Sequence, residues 1–389
     1  MSKQWRALLA AQIGWMLDAM DFLLFTFAIP PIQKEFGLSS ATMGGLTSVA
    51  LIASAFGGLA FGALADRIGR VRALTISIVV YSFATAGLAT SNALWQLLAW
   101  RTLVGIGMGG EWSCGSVLVA ETWPAEHRGK AMGIMQSGWA IGAMCAAGIT
   151  ALVLEPYGWR VLFLIGALPA VAAFFIRRGV EEPQVWRERT EKAPSWTEIF
   201  GAALIRRTVL ATIVATSVLI AYWGLTSWLP PFLASTGLTL TKSALWLMIL
   251  QAGAFFGYIS FGWIADRFGR RPAFTAFMIG ATICVPLFAF GARSTWTLVL
   301  IGPLVGYFGH GYFSVFGAML SELFPTRIRA TAQGFCYNFG RVASAAAPYT
   351  IGAAAATYGL AIPLAASAIF FGLGGGLIWL LPETKGAEL

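Results

Sequence analysis

The chain has 389 residues, of which 58% are hydrophobic and only 11% are charged, and its formal net charge is +9. Soluble domains carry about one quarter charged residues, so this composition excludes an ordinary soluble enzyme or binding domain. The apolar residues fall in runs of about 20, the length that crosses a bilayer core of about 30 Å as a helix.

Twelve such runs are predicted as transmembrane helices. In chain order they span 7–30, 44–65, 73–90, 94–118, 130–153, 159–177, 208–232, 243–265, 273–291, 296–320, 330–355 and 359–381. The runs do not alternate apolar and polar residues as the strands of a membrane barrel do, so we predict an all-α membrane protein. We expect two six-helix bundles, residues 1–178 and 208–389, joined by a polar cytoplasmic linker at 179–207.

The basic residues are distributed unevenly between the two sides of the predicted bundle. Most of the 26 lie on inner loops if the N-terminus is inside, and two, Arg101 and Arg341, lie within spans. Those on outer loops are Lys34, Arg160, Lys242 and Arg293. This bias follows the positive-inside rule and predicts a multi-pass protein of the cell membrane with both termini in the cytoplasm. No basic stripe with interleaved aromatic residues is present, so we expect lipid rather than nucleic acid as a partner, and a monomer.

Two loop segments occur twice. GALADRIGRVR from Gly62 matches GWIADRFGRRP from Gly262, and AETWPAEHRGKAMG from Ala120 matches SELFPTRIRATAQG from Ser321. Such repeats are typical of internally duplicated transporters. Charges in the first pair of segments are expected to form cytoplasmic pairs that break when the protein opens; the alternative is that the arginines set topology alone. The expected gating residues are Asp66, Arg67, Arg70, Asp266, Arg267 and Arg270.

The pattern G-x-x-x-D-R-x-G-R, present in both copies, resembles the signature of the major facilitator superfamily. Three segments are similar to sialate and lactate proton symporters and their organic-acid relatives: QWRALLAAQIGWMLDAMDF from Gln4, GIGMGGEWSCGSVLVAETWP from Gly105 and GFCYNFGRVASAAAP from Gly334. The resemblance implies the major facilitator fold, with twelve transmembrane helices in two pseudo-symmetric six-helix bundles. It also implies proton-coupled symport of a small organic anion by alternating access, without a cofactor.

A few charged residues lie within the predicted spans, where each costs about 2.5–3.5 kcal/mol unless it is paired, hydrated or functional. Asp18 and Asp21 share one helical face, and two adjacent carboxylates hold a proton more readily than one. We expect them to couple transport to protons with His310 and with Arg101, which resembles a fourth-helix arginine linked to coupling in symporters. The alternatives are an aspartate–arginine pair, Arg101 paired with Glu111, and a purely structural histidine.

Arg341, in the eleventh span, is the expected anchor of the substrate anion, because its forked donors match a carboxylate. Tyr337 and Asn338 lie one turn earlier and can add donors. Tyr222 and Trp223 of the seventh span are expected to line the cavity, although lipid contact is equally plausible for them. The alternative for Arg341 is a permanent ion pair with a first-span aspartate.

Two other classes of function stay open, an antiporter or efflux protein and a transporter-like sensor. The antiporter-associated Gly-Pro pair is missing from SGWAIGAMCAAG, which begins at Ser137, so symport is favoured. The short tails leave little room for signalling. No nucleotide-binding loop or metal-binding spacing occurs, so we expect neither an enzyme nor a metal. A monocarboxylate such as lactate or pyruvate, or a related sugar or aromatic acid, is the expected substrate.

Overall fold

The computed structural model describes residues 2–167, 171, 179–188, 195–237, 240–292 and 294–388. Its helices are α1 (Lys3–Phe36), α2 (Ser40–Ile68), α3 (Arg70–Leu88), α4 (Leu94–Thr122), α5 (Arg128–Ile165), α6 (Gln184–Arg187), α7 (Ile205–Ser235), α8 (Leu240–Phe268), α9 (Arg270–Gly291), α10 (Thr295–Gly311), α11 (Phe313–Leu323), α12 (Arg329–Ser344), α13 (Ala346–Tyr358) and α14 (Ala361–Leu377). Short 3₁₀ turns cover Ala125–His127, Trp196–Phe200 and Ile378–Leu380.

The predicted spans correspond closely to these helices. Within the described ranges, ten helical segments are long and apolar enough to cross a membrane. Nine of the 19 residues of the sixth predicted span, 159–177, lie outside the described residues, as does Arg293 of the predicted outer loops. Every other predicted span overlaps a described helix, so the all-helical prediction is confirmed.

Three breaks interrupt the helices, one between two predicted spans and two within a span. Gly158 interrupts α5 with a φ of 78°, which separates the fifth span from the sixth. The eleventh span consists of two helices, α12 and α13, that meet at Ala345. Pro348 explains that break, because it has no N–H for the carbonyl of Ser344 and its ring crowds that carbonyl. The tenth span likewise divides into α10 and α11 at Tyr312.

The duplication in sequence is repeated in the backbone. Gly69 joins α2 to α3 with a φ of 115°, and Gly269 joins α8 to α9 with a φ of 107°; both values are unfavourable for residues with a side chain. Beside each turn lies a glutamate that accepts hydrogen bonds from the first N–H groups of the following helix. Glu182 accepts from the N–H groups of Val71 and Arg72 in α3, each at 3.1 Å. Glu383 accepts from the N–H groups of Arg270 at 2.8 Å and Arg271 at 3.1 Å in α9.

The two halves meet along two helix pairs, α2 with α12 and α5 with α8. Small residues bring the backbones together: a Cβ on Gly334 would lie 2.2 Å from the carbonyl oxygen of Gly58, and one on Gly262 would lie 2.3 Å from that of Gly129. Close approach through small residues is typical of packing between membrane helices. We call this contact the seam, and we call the end of the bundle that carries Asp66 the motif face. The exact bundle boundaries at 178 and 208 stay predictions.

Candidate functional site

A small cavity lies at the seam between the halves. It has a free volume of about 20 Å³, roughly enough for one water molecule. Its lining is aromatic except for one amide and one guanidinium. The lining residues are Trp15, Gln136, Trp139, Tyr222, Trp223, Tyr258, Phe313, Tyr337 and Arg341.

Arg341 supplies the positive charge of this cavity and is only 3% exposed. Its guanidinium carbon lies 5.1 Å from the centre of the Tyr337 ring, and its Nη1 contacts Ser54 Oγ of α2 at 3.5 Å. Among the described residues, Arg341 Nε has no hydrogen-bond partner, and no carboxylate lies within 4.0 Å of its nitrogens. The permanent ion pair with Asp18 considered above is therefore not formed in this structure, although the two charges attract each other over a longer distance.

The structure brings four of the five predicted substrate residues together. Tyr337, Tyr222 and Trp223 line the cavity with Arg341, and Tyr337 stacks on Trp112 with ring centres 3.9 Å apart. Asn338 instead points into the α2–α4 contact, where its amide donates to the carbonyls of Gly334 at 3.1 Å and Gly109 at 3.4 Å. Those carbonyls, rather than the cavity, surround the amide nitrogen of Asn338.

Three carboxyl groups lie inside the first half, away from the motif face. Asp18 and Asp21 of α1 and Glu111 of α4 are buried, at 0%, 2% and 0% exposure. Within the described part of the chain, none of their six carboxyl oxygens has a hydrogen-bond partner. We call these three residues the carboxyl triad. The sequence interpretation included the two aspartates but treated Glu111 only as a partner of Arg101.

Arg101 and His310 lie apart from the carboxyl triad. Arg101 is 1% exposed, and its guanidinium stacks on the ring of Phe25 at 3.8 Å. Among the residues described, its Nε and Nη2 have no partner, and no ion pair with Glu111 forms. His310 packs edge-on against Tyr222, with ring centres 5.0 Å apart, and is not part of the cavity lining.

At the motif face, buried charges connect the halves. Asp66 of α2 accepts hydrogen bonds from the N–H of Thr331 at 2.9 Å and from its hydroxyl at 2.7 Å, at the start of α12. A carboxylate at a helix N-terminus is stabilised by the helix dipole. Arg70 donates to Asp66 at 2.8 Å and to both oxygens of Glu121 at 2.9 Å. Arg329 of the second half also contacts Glu121, at 2.5 Å.

The second half repeats this arrangement with the roles exchanged. Asp266 of α8 accepts from the N–H groups of Gly129 and Lys130 at 2.9 and 2.8 Å, at the start of α5. Arg270 donates to Asp266 at 2.6 Å and to Glu322 at 2.9 and 3.2 Å. Arg128 of the first half contacts Glu322 at 2.8 Å. Each half therefore contributes one aspartate that caps a helix of the other half.

Four residues of this network were missing from the predicted gating set: Glu121, Glu322, Arg128 and Arg329. The sequence did contain the signal, because the second repeated segment places both pairs at matching offsets. Of the predicted set, Asp66, Arg70, Asp266 and Arg270 form the contacts described above. The side chains of Arg67 and Arg267 are exposed at the same turns.

An all-helical bundle of two repeated halves, with a small cavity at their seam, is the architecture expected of a membrane transporter. The family model described as Major Facilitator Superfamily matches residues 13–291 and 252–388. The chain belongs to the Major Facilitator Superfamily, and it is a multi-pass membrane transporter rather than an enzyme.

Several relatives match along nearly the whole chain. A Haemophilus influenzae protein assigned provisionally to metabolite transport is 36% identical, covering 99% of this chain and 98% of its own. The cis,cis-muconate transport protein of Acinetobacter baylyi is 31% identical, with 95% and 92% covered. The sialic acid transporter NanX of Escherichia coli is 30% identical, with 93% and 90% covered. The resemblance to sialate transporters inferred from sequence is thereby confirmed.

Solved structures share the fold. The proton:xylose symporter XylE bound to 6-bromo-6-deoxy-D-glucose superposes with a TM-score of 0.84 at 20% identity, covering 100% of this chain and 98% of its own. The human organic anion transporter MFSD10 superposes with a TM-score of 0.81 at 16% identity, with 97% and 100% covered. At these identities the structures bear on the fold alone.

Proposed function

We propose that the chain is a proton-coupled symporter of a small organic anion that works by alternating access. The observation that carries this proposal is Arg341, a buried guanidinium in the seam cavity that has no carboxylate partner among the described residues. An uncompensated charge in this position costs several kcal/mol. A substrate carboxylate offsets that cost only in the bound state, so the arginine selects anions.

The walls of the cavity narrow the choice of anion. Seven of its nine lining residues are aromatic, and rings of this kind stack on flat, unsaturated or cyclic molecules. The relatives include transporters of cis,cis-muconate and of sialic acid, which are both organic acids. The free volume of about 20 Å³ requires the site to widen around any such substrate. We place small planar acids ahead of lactate, pyruvate and bulky sugar acids.

Proton coupling is assigned to the buried acids of the first half. Asp18 lies within electrostatic range of Arg341, so substrate and proton binding can influence each other through these two residues. A proton on Asp18 frees Arg341 for the substrate anion, and loss of the proton strengthens competition for the arginine. This competition supplies the differential interaction that coupling requires.

The motif-face network is the proposed gate. Its buried pairs hold the halves together on one side, and their rupture opens the cavity to that side. From the positive-inside bias of the sequence we infer that this face lies in the cytoplasm of a cell-membrane protein, with both termini on the same side.

The test is uptake into proteoliposomes of labelled benzoate, nicotinate, cis,cis-muconate, lactate, sialate and xylose, with and without an inward proton gradient. We expect gradient-driven accumulation of at least one planar acid and none of xylose. Accumulation of xylose alone would contradict anion selectivity. Uptake that ignores the proton gradient, or that runs against it as in an exchanger, would contradict symport.

A further inference from the structure

Glu111 lies on the same stripe as the two aspartates of α1. Gly14, Asp18 and Asp21 are spaced i, i+4 and i+7, so they share one face of α1. A Cβ built on Gly14 would lie 2.5 Å from Glu111 Oε1. The glycine therefore leaves the space that the Glu111 carboxyl occupies, and the triad runs along a single side of the helix.

Helix α3 closes this stripe from the other side. Tyr81 is 0% exposed, and its hydroxyl has no hydrogen-bond partner among the described residues. It interacts electrostatically with all three members of the carboxyl triad. One turn further, Thr85 and Asp21 both adjoin Gly166: a Cβ there would lie 2.4 Å from Thr85 and 3.0 Å from Asp21 Oδ1. The surroundings of the triad thus contain two hydroxyl groups, those of Tyr81 and Thr85, and Thr85 interacts with Asp21.

The positive charges nearby do not balance the triad. Arg341 acts on Asp18 from α12, while Arg101 stacks on Phe25. Tyr81 of α3, Cys114 of α4 and Tyr337 of α12 also interact electrostatically with these acids. One guanidinium can balance one carboxylate, and a buried carboxylate without a partner is far less stable than the neutral acid. At least one member of the triad is therefore expected to be the neutral, protonated acid.

A second glutamate on the same helix shows the contrast. Glu121 lies ten residues after Glu111 on α4 and is equally buried, yet Arg70 and Arg329 hold it as a paired carboxylate. The end of α4 and the start of α1 both lie at the motif face. Glu111 is eleven residues from the end of α4, about 16 Å from that face. Asp18 is fifteen residues from the start of α1, about 22 Å from the same face. Glu111 is thus the triad member nearest to the motif face.

We propose that Glu111 is a third proton-binding residue of the coupling site, which receives a proton from Asp18 and releases it toward the motif face. This inference rests on the proposed proton symport, and it adds a residue that the sequence interpretation assigned only a pairing role. The proton moves from one carboxyl oxygen to another, so each transfer leaves one neutral acid and one carboxylate.

The first test needs no substrate. Infrared spectra of the purified full-length parent, Glu111→Gln and Ser113→Ala are compared at neutral pH in the carboxylic acid C=O region. Ser113 is the matched control because it is buried on the same helix and its hydroxyl donates to the carbonyl of Gly109 in its own turn. We expect Glu111→Gln to remove one protonated carboxyl band that Ser113→Ala retains. If the glutamine variant loses no such band, Glu111 is ionised and the inference is wrong.

The second test separates this inference from the proposed function. Reversal-potential measurements in proteoliposomes give the number of protons per molecule of the acid that the parent accumulates in the uptake panel. We expect Glu111→Gln to lower that number by about one while substrate exchange persists, and Ser113→Ala to match the parent. An unchanged number in Glu111→Gln overturns the inference. A parent without proton coupling overturns the proposed function instead, and the infrared result still decides whether Glu111 carries a proton.

Should the glutamine variant fail to fold, Gly14→Ala takes its place. The new methyl group displaces the Glu111 carboxyl without removing it, so we expect the same infrared band to shift and the proton number to fall. Gly148→Ala is its control, because a Cβ at Gly148 meets no atom within 4 Å among the described residues. An unmoved band with an unchanged proton number in Gly14→Ala counts against the proposal.

Discussion

At the motif face, buried acids and arginines contact one another, whereas the carboxyl triad in the middle of the first half lacks partners among the described residues. Both regions exclude solvent, so burial alone does not separate them. The paired charges have fixed neighbours across the seam, and breaking one pair leaves a buried charge uncompensated. The unpaired acids can gain or lose a proton without breaking a contact. The first region is suited to hold a conformation, and the second to carry a proton.

The seam cavity combines features of both regions, and Arg341 gives the largest expected effect. Among the described residues, Arg341 is the only cation that lines the cavity. We expect Arg341→Ala to weaken binding of carboxylate substrates by about 100-fold or more, roughly 3 kcal/mol. Arg341→Lys should restore little, because a point charge does not reproduce two parallel hydrogen bonds. Equilibrium binding of the labelled acid in detergent measures both variants.

The double variant Arg341→Ala with Asp18→Asn is the control for a structural role. If Arg341 served mainly to balance Asp18, neutralising both residues would recover thermal stability and transport together. We expect stability to recover in part and anion binding to stay lost. Full recovery of transport would place Arg341 among the paired charges of the fold.

The triad aspartates give the next largest effect. Asp18→Asn and Asp21→Asn should each abolish concentrative uptake, so that the internal substrate level only equals the external level. Exchange across the membrane should persist, because an amide keeps the shape of the side chain while it cannot release a proton. Counterflow and gradient-driven uptake in the same proteoliposomes measure the two activities. Accumulation at the parental level in both variants would place the coupling site elsewhere.

The comparison also shows how far the sequence could lead. The duplicated loops predicted Asp66, Arg70, Asp266 and Arg270 at one face, and hydropathy predicted the helices. Both predictions were possible because residue spacing and the length of apolar runs can be read directly from the sequence. The contact between Gly14 and Glu111 was not predictable in this way. A helix that is apolar on all sides gives no signal for which face turns inward, so the rotation of α4 against α1 appears only in the packed structure.

The same limit explains Asn338. Its position one turn before Arg341 predicted a similar depth in the membrane. The depth of a residue does not determine the direction in which its side chain points. Gly58 opens a space on α2 that the Asn338 amide fills, since a Cβ on Gly58 would lie 2.1 Å from its nitrogen. A glycine on one helix thus decides where a polar residue on another helix points. Such a glycine–side chain contact forms only when the two halves pack together at the seam, so the sequence of either helix alone does not predict it.

The motif-face aspartates test whether paired charges hold a conformation. Asp66→Asn and Asp266→Asn should each shift the population toward the state open at the motif face, by about 1–2 kcal/mol. The two shifts should be similar, because each aspartate caps a helix of the opposite half. Labelling of a reporter cysteine in the cavity, in a background without the exposed Cys145, measures the shift. Arg72→Gln is the control for a lost charge on the same face, and labelling that stays at the parental level in both aspartate variants would exclude a gating role.

The smallest effect is expected from Glu383, which caps α9 outside the membrane-spanning helices. Partial burial disfavours its charged form, but N–H donors of Arg270, Arg271, Lys385 and Thr384 outweigh this and hold the pKa of the carboxyl below its usual value. A lowered pKa means that the charged group stabilises the fold above the unfolded pKa of about 4.3 and that this contribution disappears as the pH falls through the lower folded value. We expect Glu383→Gln to cost about 0.3–1 kcal/mol at neutral pH and to match the parent in strong acid. Thermal unfolding in detergent across this pH range measures the difference. A gap between the two proteins that persists unchanged in acid would show that Glu383 acts through packing and not through its charge.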